Sequence, residues 1–276
     1  MKIVFLSIIF VLFSFAAGAQ KLSLDLYGGI SNYMGDLQGN AFLFSQSHIA
    51  GGAGLSYQFN DHIYFRTAFI LGKVSGSDKD GSNKSRNLNF TSDITEGNLE
   101  VLYFITPLHV HSFSPYLFTG ISVYHFNPYT HDTLGNKYYL KPLSTEGEGF
   151  LPGVKNYSLT QLGIPIGGGV KLRLSENVDV GLEIGIRKLF TDYLDDVSST
   201  YADEGLLLAN RGSEAVELAY RGDELKGGSL QYPAAGKQRG SPKAKDMYYF
   251  TLVSLSYRLG AFSSSHSQWS CPKNVL

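Results

Sequence analysis

Glu96 and Glu100 are the two carboxylates in this 276-residue chain whose spacing most invites acid–base chemistry. Four residues apart in an alternating segment, they would project to one side, as a general acid and base must. Arginines recur on the same parity, however, and would hold both groups ionised and packed. His109 and His111 have the i, i+2 spacing that places two metal ligands on one face of a short strand. No third ligand lies nearby in sequence, so a solvated turn is the simpler reading. Asp192, Asp195 and Asp196 offer the clustered oxygens that Ca²⁺ favours. The same carboxylates can instead cap a turn, with Arg187 and Lys188 near enough in sequence to neutralise them. Gly163 to Gly169 looks like a phosphate cradle but lacks the Lys-Ser/Thr ending of a P-loop. A lipid-modifying enzyme would need a Ser/His pair at a strand end, and His125 has no Ser and acid partners at readable spacing. Arg221-Gly222-Asp223 matches an integrin-type tripeptide by chance. These readings predict no catalytic centre, no metal and no cofactor.

The elements that must position these side chains begin after an N-terminal leader. Lys2, the apolar run Ile3 to Phe15 and the small residues Ala17-Gly18-Ala19 predict a cleaved signal peptide over 1–19. A membrane anchor is the alternative, but the run is short for a helical span of about 20 residues. The lone Cys271 excludes a disulfide framework. With 23 basic and 24 acidic residues and no basic cluster, the chain has no electrostatic case for nucleic acid. Its mean hydropathy of −0.06 separates neither membrane from soluble classes.

Alternation resolves that ambiguity. Ile49 to Phe59, Val178 to Phe190 and Met247 to Leu259 each interleave an apolar face with a small, polar or charged one, and weaker versions occupy 22–34, 63–75, 94–105, 114–124 and 158–174. Eight such segments are long enough to cross a bilayer as tilted strands, which takes roughly 9–11 residues each. Short turns at 60–62, 106–113 and 175–177 alternate with long connections at 35–48, 76–93, 125–157 and 191–246. The pattern predicts an all-β, eight-stranded antiparallel transmembrane β-barrel over 20–260, with periplasmic turns, extracellular loops and a periplasmic tail over 261–276. A soluble lipocalin-like barrel would lack that asymmetry and would turn its apolar face inward. Pro165 predicts a bulge or other local irregularity. Ser213 is read as the N-cap of a helix over Glu214–Ala219 in the last loop, and 233–242 as a basic, flexible stretch. The 18 Phe and 18 Tyr residues suit interfacial girdles.

With the apolar parity facing lipid, the interior receives a lumen charge network: Asp25, Glu96, Glu100, Asp179 and Glu183 against Arg66, Lys171, Arg173, Arg187 and Arg258. An eight-stranded barrel has room only for side chains, so the balanced charges should pair and leave no aqueous pore.

Several segments resemble one family. They are Tyr33 to Leu37, Arg86 to Phe90, Pro115 to Ile121 with Phe126-Asn127-Pro128, Leu140 to Gly149, and Arg187 to Ser198. Together they look like the PorG-type outer-membrane proteins of Bacteroidota, which are associated with the type IX secretion system. The most specific piece is Phe190-Thr191-Asp192-Tyr193-Leu194-Asp195-Asp196-Val197. The resemblance implies a non-enzymatic barrel in the cell outer membrane of a Gram-negative bacterium, surrounded by outer-membrane lipid. It also implies a structural or accessory role in protein secretion, with the periplasmic lipoprotein ring of the secretion machine as partner. A surface-exposed barrel whose long loops bind ligands or cells is the alternative.

Overall fold

A computed structural model describes residues 21–39, 44–80, 83–108 and 110–259. The expected signal segment 1–19, His109 and the tail 261–276 with Cys271 lie outside the described residues. The strands are β1 (Leu22–Met34), β2 (His48–Gln58), β3 (Ile63–Ser77), β4 (Asn89–Phe104), β5 (Phe113–His131), β6 (Lys137–Tyr139), β7 (Thr160–Arg173), β8 (Val178–Leu189) and β9 (Met247–Arg258). All pairings are antiparallel. β1 joins both β2 and β9, and β4 joins β5, so eight strands close into the ring β1-β2-β3-β4-β5-β7-β8-β9. This is the predicted closed barrel. β6 is an unpredicted ninth strand that forms only a short hairpin on β5. No helix among the described residues is long and apolar enough to cross a membrane. Closure of the ring does what a helix would otherwise do, leaving no backbone edge unpaired in hydrocarbon.

Burial alternates residue by residue along the strands, in the sense opposite to that of a soluble protein. On β8 the outward Leu182, Ile184 and Ile186 are exposed, while the inward Asp179, Glu183 and Arg187 are buried. On β4 the outward Leu99, Val101 and Tyr103 are exposed, while Glu96, Asn98 and Glu100 are buried. Exposed apolar stripes over a polar interior require a lipid surround.

The tight turns are built from side-chain acceptors. Asn60 Oδ1 accepts from the amides of His62 (2.9 Å) and Ile63 (2.8 Å), and Ser175 Oγ accepts from Val178 (3.2 Å). Two loop boundaries differ from expectation. β4 begins at Asn89 and β5 runs on to His131, because Thr91, Ser92 and Asp93 pair with Tyr129, Pro128 and Asn127. These rungs lie beyond the apolar stripe, so no hydrophobic alternation announces them. At Pro165 the β5–β7 ladder is interrupted between Thr119↔Ile166 and Ser122↔Gly163 with the same offset on either side. The irregularity is therefore a gap without an inserted residue. Pro165 supplies no donor there, and a Cβ on the facing Gly120 would collide with the Leu99 carbonyl of β4.

The interior is layered. Tyr64, Leu102, Phe104, Tyr116 and Phe118 pack at the turn end. Tyr33, Phe90, Tyr124, Phe126, Tyr248 and Phe250 belong to a larger cluster toward the loops. Many aromatics therefore fill the lumen rather than the girdles. Those that do face outward include Tyr57, Phe59, Phe65, Tyr103 and Phe113, near the turn end.

Candidate functional site

Three alternating strands deliver the central ionic layer. β4 contributes Glu96 and Glu100, β8 contributes Glu183 and Arg187, and β3 contributes Arg66. Arg66 bridges two acids, with Nε 2.6 Å from Glu100 and Nη1 2.6 Å from Glu183. Its guanidinium also lies 4.9 Å from the centre of the Phe118 ring, and Tyr116 donates to Glu183 at 2.6 Å. Arg187 grips Glu96 through Nε (3.0 Å) and Nη2 (2.9 Å), and Tyr248 and Asn98 complete that carboxylate's shell at 2.6 and 3.0 Å. Glu96 and Glu100 are thus the anions of two separate ion pairs. Asp25 accepts from Ser56 and Ser256, with Lys171 Nζ 3.9 Å away. Asp179 pairs with Arg173 (3.2 Å) and Arg258 (2.9 Å), both of which are only half-buried at the turn-end mouth. All ten of the expected lumen charges take part in salt bridges.

The segment 190–198 forms a latch over the loop end. Phe190 stays outside on the lipid-facing parity, and its exposure follows from the β8 alternation. Thr191 accepts from the Tyr193 amide (3.2 Å), and Tyr193 stacks on Tyr157 with ring centres 4.8 Å apart. The carboxylates then diverge. Asp192 accepts from Ser198 Oγ (2.9 Å). Asp195 accepts from Tyr33 Oη (2.6 Å) and the Val197 amide (2.9 Å). Asp196 accepts from Thr145 Oγ1 (2.6 Å) and Tyr157 Oη (2.7 Å). Asp195 ties the last loop to β1 and Asp196 ties it to the 140–159 loop, while Asp192 bonds within the segment; only the Val197 amide on Asp195 is a local turn cap. No group of three potential metal ligands converges among the described residues.

Arg187 and Lys188 do not neutralise these acids, because consecutive residues of β8 point to opposite faces: Arg187 enters the lumen and Lys188 faces out. The counter-charge is Arg239, whose Nη1 reaches Glu146 (3.0 Å) and the Asp196 carbonyl (2.6 Å) while Nε donates to the Ala219 carbonyl (3.2 Å). Glu146 in turn accepts from the amides of Ser198 and Ser199. Asp246 is a second acceptor for Tyr33 (2.9 Å). Arg239 was hidden in a stretch that reads as flexible but is pinned by Tyr201–Lys237 and Arg239–Ser199 backbone bonds. Glu146 did carry a signal, since it lies in one of the family-like segments. The last loop also holds two helices, α1 (Glu204–Arg211), which was not predicted, and α2 (Ser213–Ala219). Asp203 caps α1 by accepting from the Leu206 amide. The N-cap of α2 is Gly212, and Ser213 instead bonds Glu214. Arg221 is buried against Glu224 and Thr130, so Arg221-Gly222-Asp223 is not displayed as a tripeptide. His125 is exposed, with Thr160 as its ring partner at 3.0 Å, and His111 is exposed in its turn.

Burial raises the carboxyls of Asp195, Asp196, Asp246 and Glu148 above the usual range and lifts Asp192 to about 7. Arg239 and Lys245 only partly oppose this, for Asp196 and Asp192 respectively. The closed latch therefore holds protons that an open loop releases. Its stability is complete below the ordinary carboxylate pKa of about 4 and falls as pH climbs through about 7 and beyond. Limited proteolysis of 190–246 is expected to run roughly tenfold faster at pH 9 than at pH 5 with a protease of matched activity. Equal rates would mean that these carboxyls are solvated.

A closed strand ring with an apolar outer wall and a salt-bridged interior defines an outer-membrane-type β-barrel. More particularly, the chain belongs to the DUF6089 family, a domain of unknown function, whose model matches residues 2–209. No curated protein matches it. Among solved structures it is similar to Neisserial surface protein A, with 9% identity and a TM-score of 0.42 over 86% of this chain and 96% of that one. Ail of Yersinia pestis gives 8% identity and 0.41 over 86% and 97%. OprG of Pseudomonas aeruginosa gives 10% identity and 0.39 over 87% and 97%.

Proposed function

We propose that this chain is an integral, non-catalytic scaffold of the Gram-negative outer membrane, exported by its signal peptide. The observation that carries this reading is the filled lumen. Two aromatic layers and the ion pairs of the lumen leave the outside surfaces, the turns and the loops as the parts free to act. The resemblance to PorG-type proteins supplies the finer reading: an accessory component of type IX secretion whose turn end meets the periplasmic ring lipoprotein. Reconstituted in a planar bilayer, the barrel should add no steady conductance, and a stable open level would overturn the scaffold. Deleting the gene should impair export of type IX cargo, and crosslinkers placed in the three short turns should capture a periplasmic lipoprotein. Normal export would remove the secretion role while leaving the barrel intact.

A second reading, surface recognition, is favoured by the folded loop cap. That cap encloses a recess of about 690 Å³ bordered by Tyr201, Tyr220, Tyr232 and Lys237. Replacing the 132–159 and 190–246 connections by short turns separates the two, because secretion through turn-end contacts survives it and surface binding does not.

A further inference from the structure

On the outside of the barrel, where β7, β8 and β9 approach the loop end, lies a recess of about 460 Å³. Its floor is apolar: Ile166 of β7 and Ile186 of β8, which are paired rungs, and Met247, which opens β9. Both isoleucines are about half exposed and belong to the stripe that meets lipid. Its rim carries three ammonium groups, Lys188 at the end of β8 and Lys243 and Lys245 on the segment entering β9. All three lysines are exposed. None joins a salt bridge among the described residues. Lys245 donates one hydrogen bond to the Pro242 carbonyl at 2.9 Å. Asp246 also borders the recess, but it is fully buried and accepts from Tyr33 and the Leu194 amide.

Lys188 marks the depth. It stands on the lipid-facing parity one step beyond Ile186, and a lysine there costs about 2–4 kcal/mol at the bilayer midplane but only about 0–1 near the interface. Three cations bordering one apolar hollow match an amphiphile with an anionic head, which sets the lysines at headgroup level and the hollow at acyl-chain level. Phosphate suits lysine, a compact point charge that needs no fixed donor geometry.

We infer that this recess binds a phosphate-bearing glycolipid of the outer leaflet, one acyl chain against Ile166, Ile186 and Met247 and a phosphate on Lys188, Lys243 and Lys245. The inference rests on the outer-membrane reading above. Its test uses the full-length folded barrel in detergent, titrated with bisphosphorylated lipid A and with its dephosphorylated form while native mass spectrometry counts bound lipids. One phosphorylated lipid should be retained in preference to the dephosphorylated one, and K188Q/K243Q/K245Q should weaken it on the order of a hundredfold, since each lysine near a membrane surface contributes roughly fivefold. Ile186→Ser should weaken both forms. Heat-modified gel migration checks that each variant is folded. Equal retention of the two lipids, or displacement by millimolar inorganic phosphate, would overturn the site while leaving the barrel reading in place. A chain that fails to insert into lipid vesicles at all would instead overturn the outer-membrane reading and the site with it.

Discussion

Arg187→Ala is expected to lower the unfolding free energy of the barrel by about 3–5 kcal/mol, measured by urea titration in lipid vesicles, because it strands a buried anion. Glu96 is fully buried and Arg187 is its ion-pair partner, through three bonds from the guanidinium. The arginine also donates to the Gly185 carbonyl at 2.8 Å and lies 4.6 Å from the centre of the Phe250 ring. Asn98 and Tyr248 would still bond Glu96, but neither carries charge. The informative control is Arg187→Met combined with Glu96→Gln. It removes both charges while keeping an acceptor for Tyr248, so most of the loss should be recovered. A loss below about 1 kcal/mol in the single variant would mean that water reaches Glu96. In that case the filled lumen, and the non-conducting scaffold built on it, would have to be given up.

Arg239→Ala should act at the other end of the molecule and leave the barrel alone. Its guanidinium holds Glu146, Asp196 and Ala219 together, so one side chain joins the 140–159 loop, the 190–198 latch and the end of α2. Arg86 adds a bond to the Arg239 carbonyl while it pairs with Asp78. Without the guanidinium, Glu146 is left buried among acids. The local closure of the cap should lose about 3 kcal/mol, equivalent to roughly a hundredfold more open loop. Hydrogen exchange across 190–246 should accelerate by that factor while the urea midpoint of the barrel stays fixed, since local opening and global unfolding are separate events. Arg239→Lys should recover only part of the protection, because one ammonium cannot span the three acceptors. If exchange accelerated equally in β3 and β4, the cap and the barrel would be a single cooperative unit.

The barrel was legible because its selection rule is local. A lipid-facing strand must alternate, and Leu182, Ile184 and Ile186 against Glu183, Gly185 and Arg187 state that rule within six residues. The same parity named the charges of the lumen. It could not name partners, since Arg66 meets Glu100 and Glu183 at sequence distances of 34 and 117. Outside the apolar stripe that rule carries no information. The rungs at 89–93 and 126–131 stand beyond the apolar stripe, and Pro128 argues against a strand until its pairing with Ser92 is seen. Composition suggests aromatic girdles but does not say which face a ring takes, and many of the rings fill the lumen.

The loop cap marks the other limit. Asp192, Asp195 and Asp196 stand together in sequence and read as one site, yet a left-handed backbone at Asp196 (φ 64°) and divergent side chains send them to separate hydroxyls: Ser198 for Asp192, Tyr33 for Asp195, and Thr145 with Tyr157 for Asp196. What the amino-acid order determined by itself is the closed barrel with its two chemically opposite faces, because a bilayer imposes a period of two on every spanning strand. What only the tertiary structure decided is which charge meets which and how the loops lock. Most of those pairings join residues tens to hundreds of positions apart, as Arg66 with Glu183 and Arg239 with Glu146 do, and no periodicity records them.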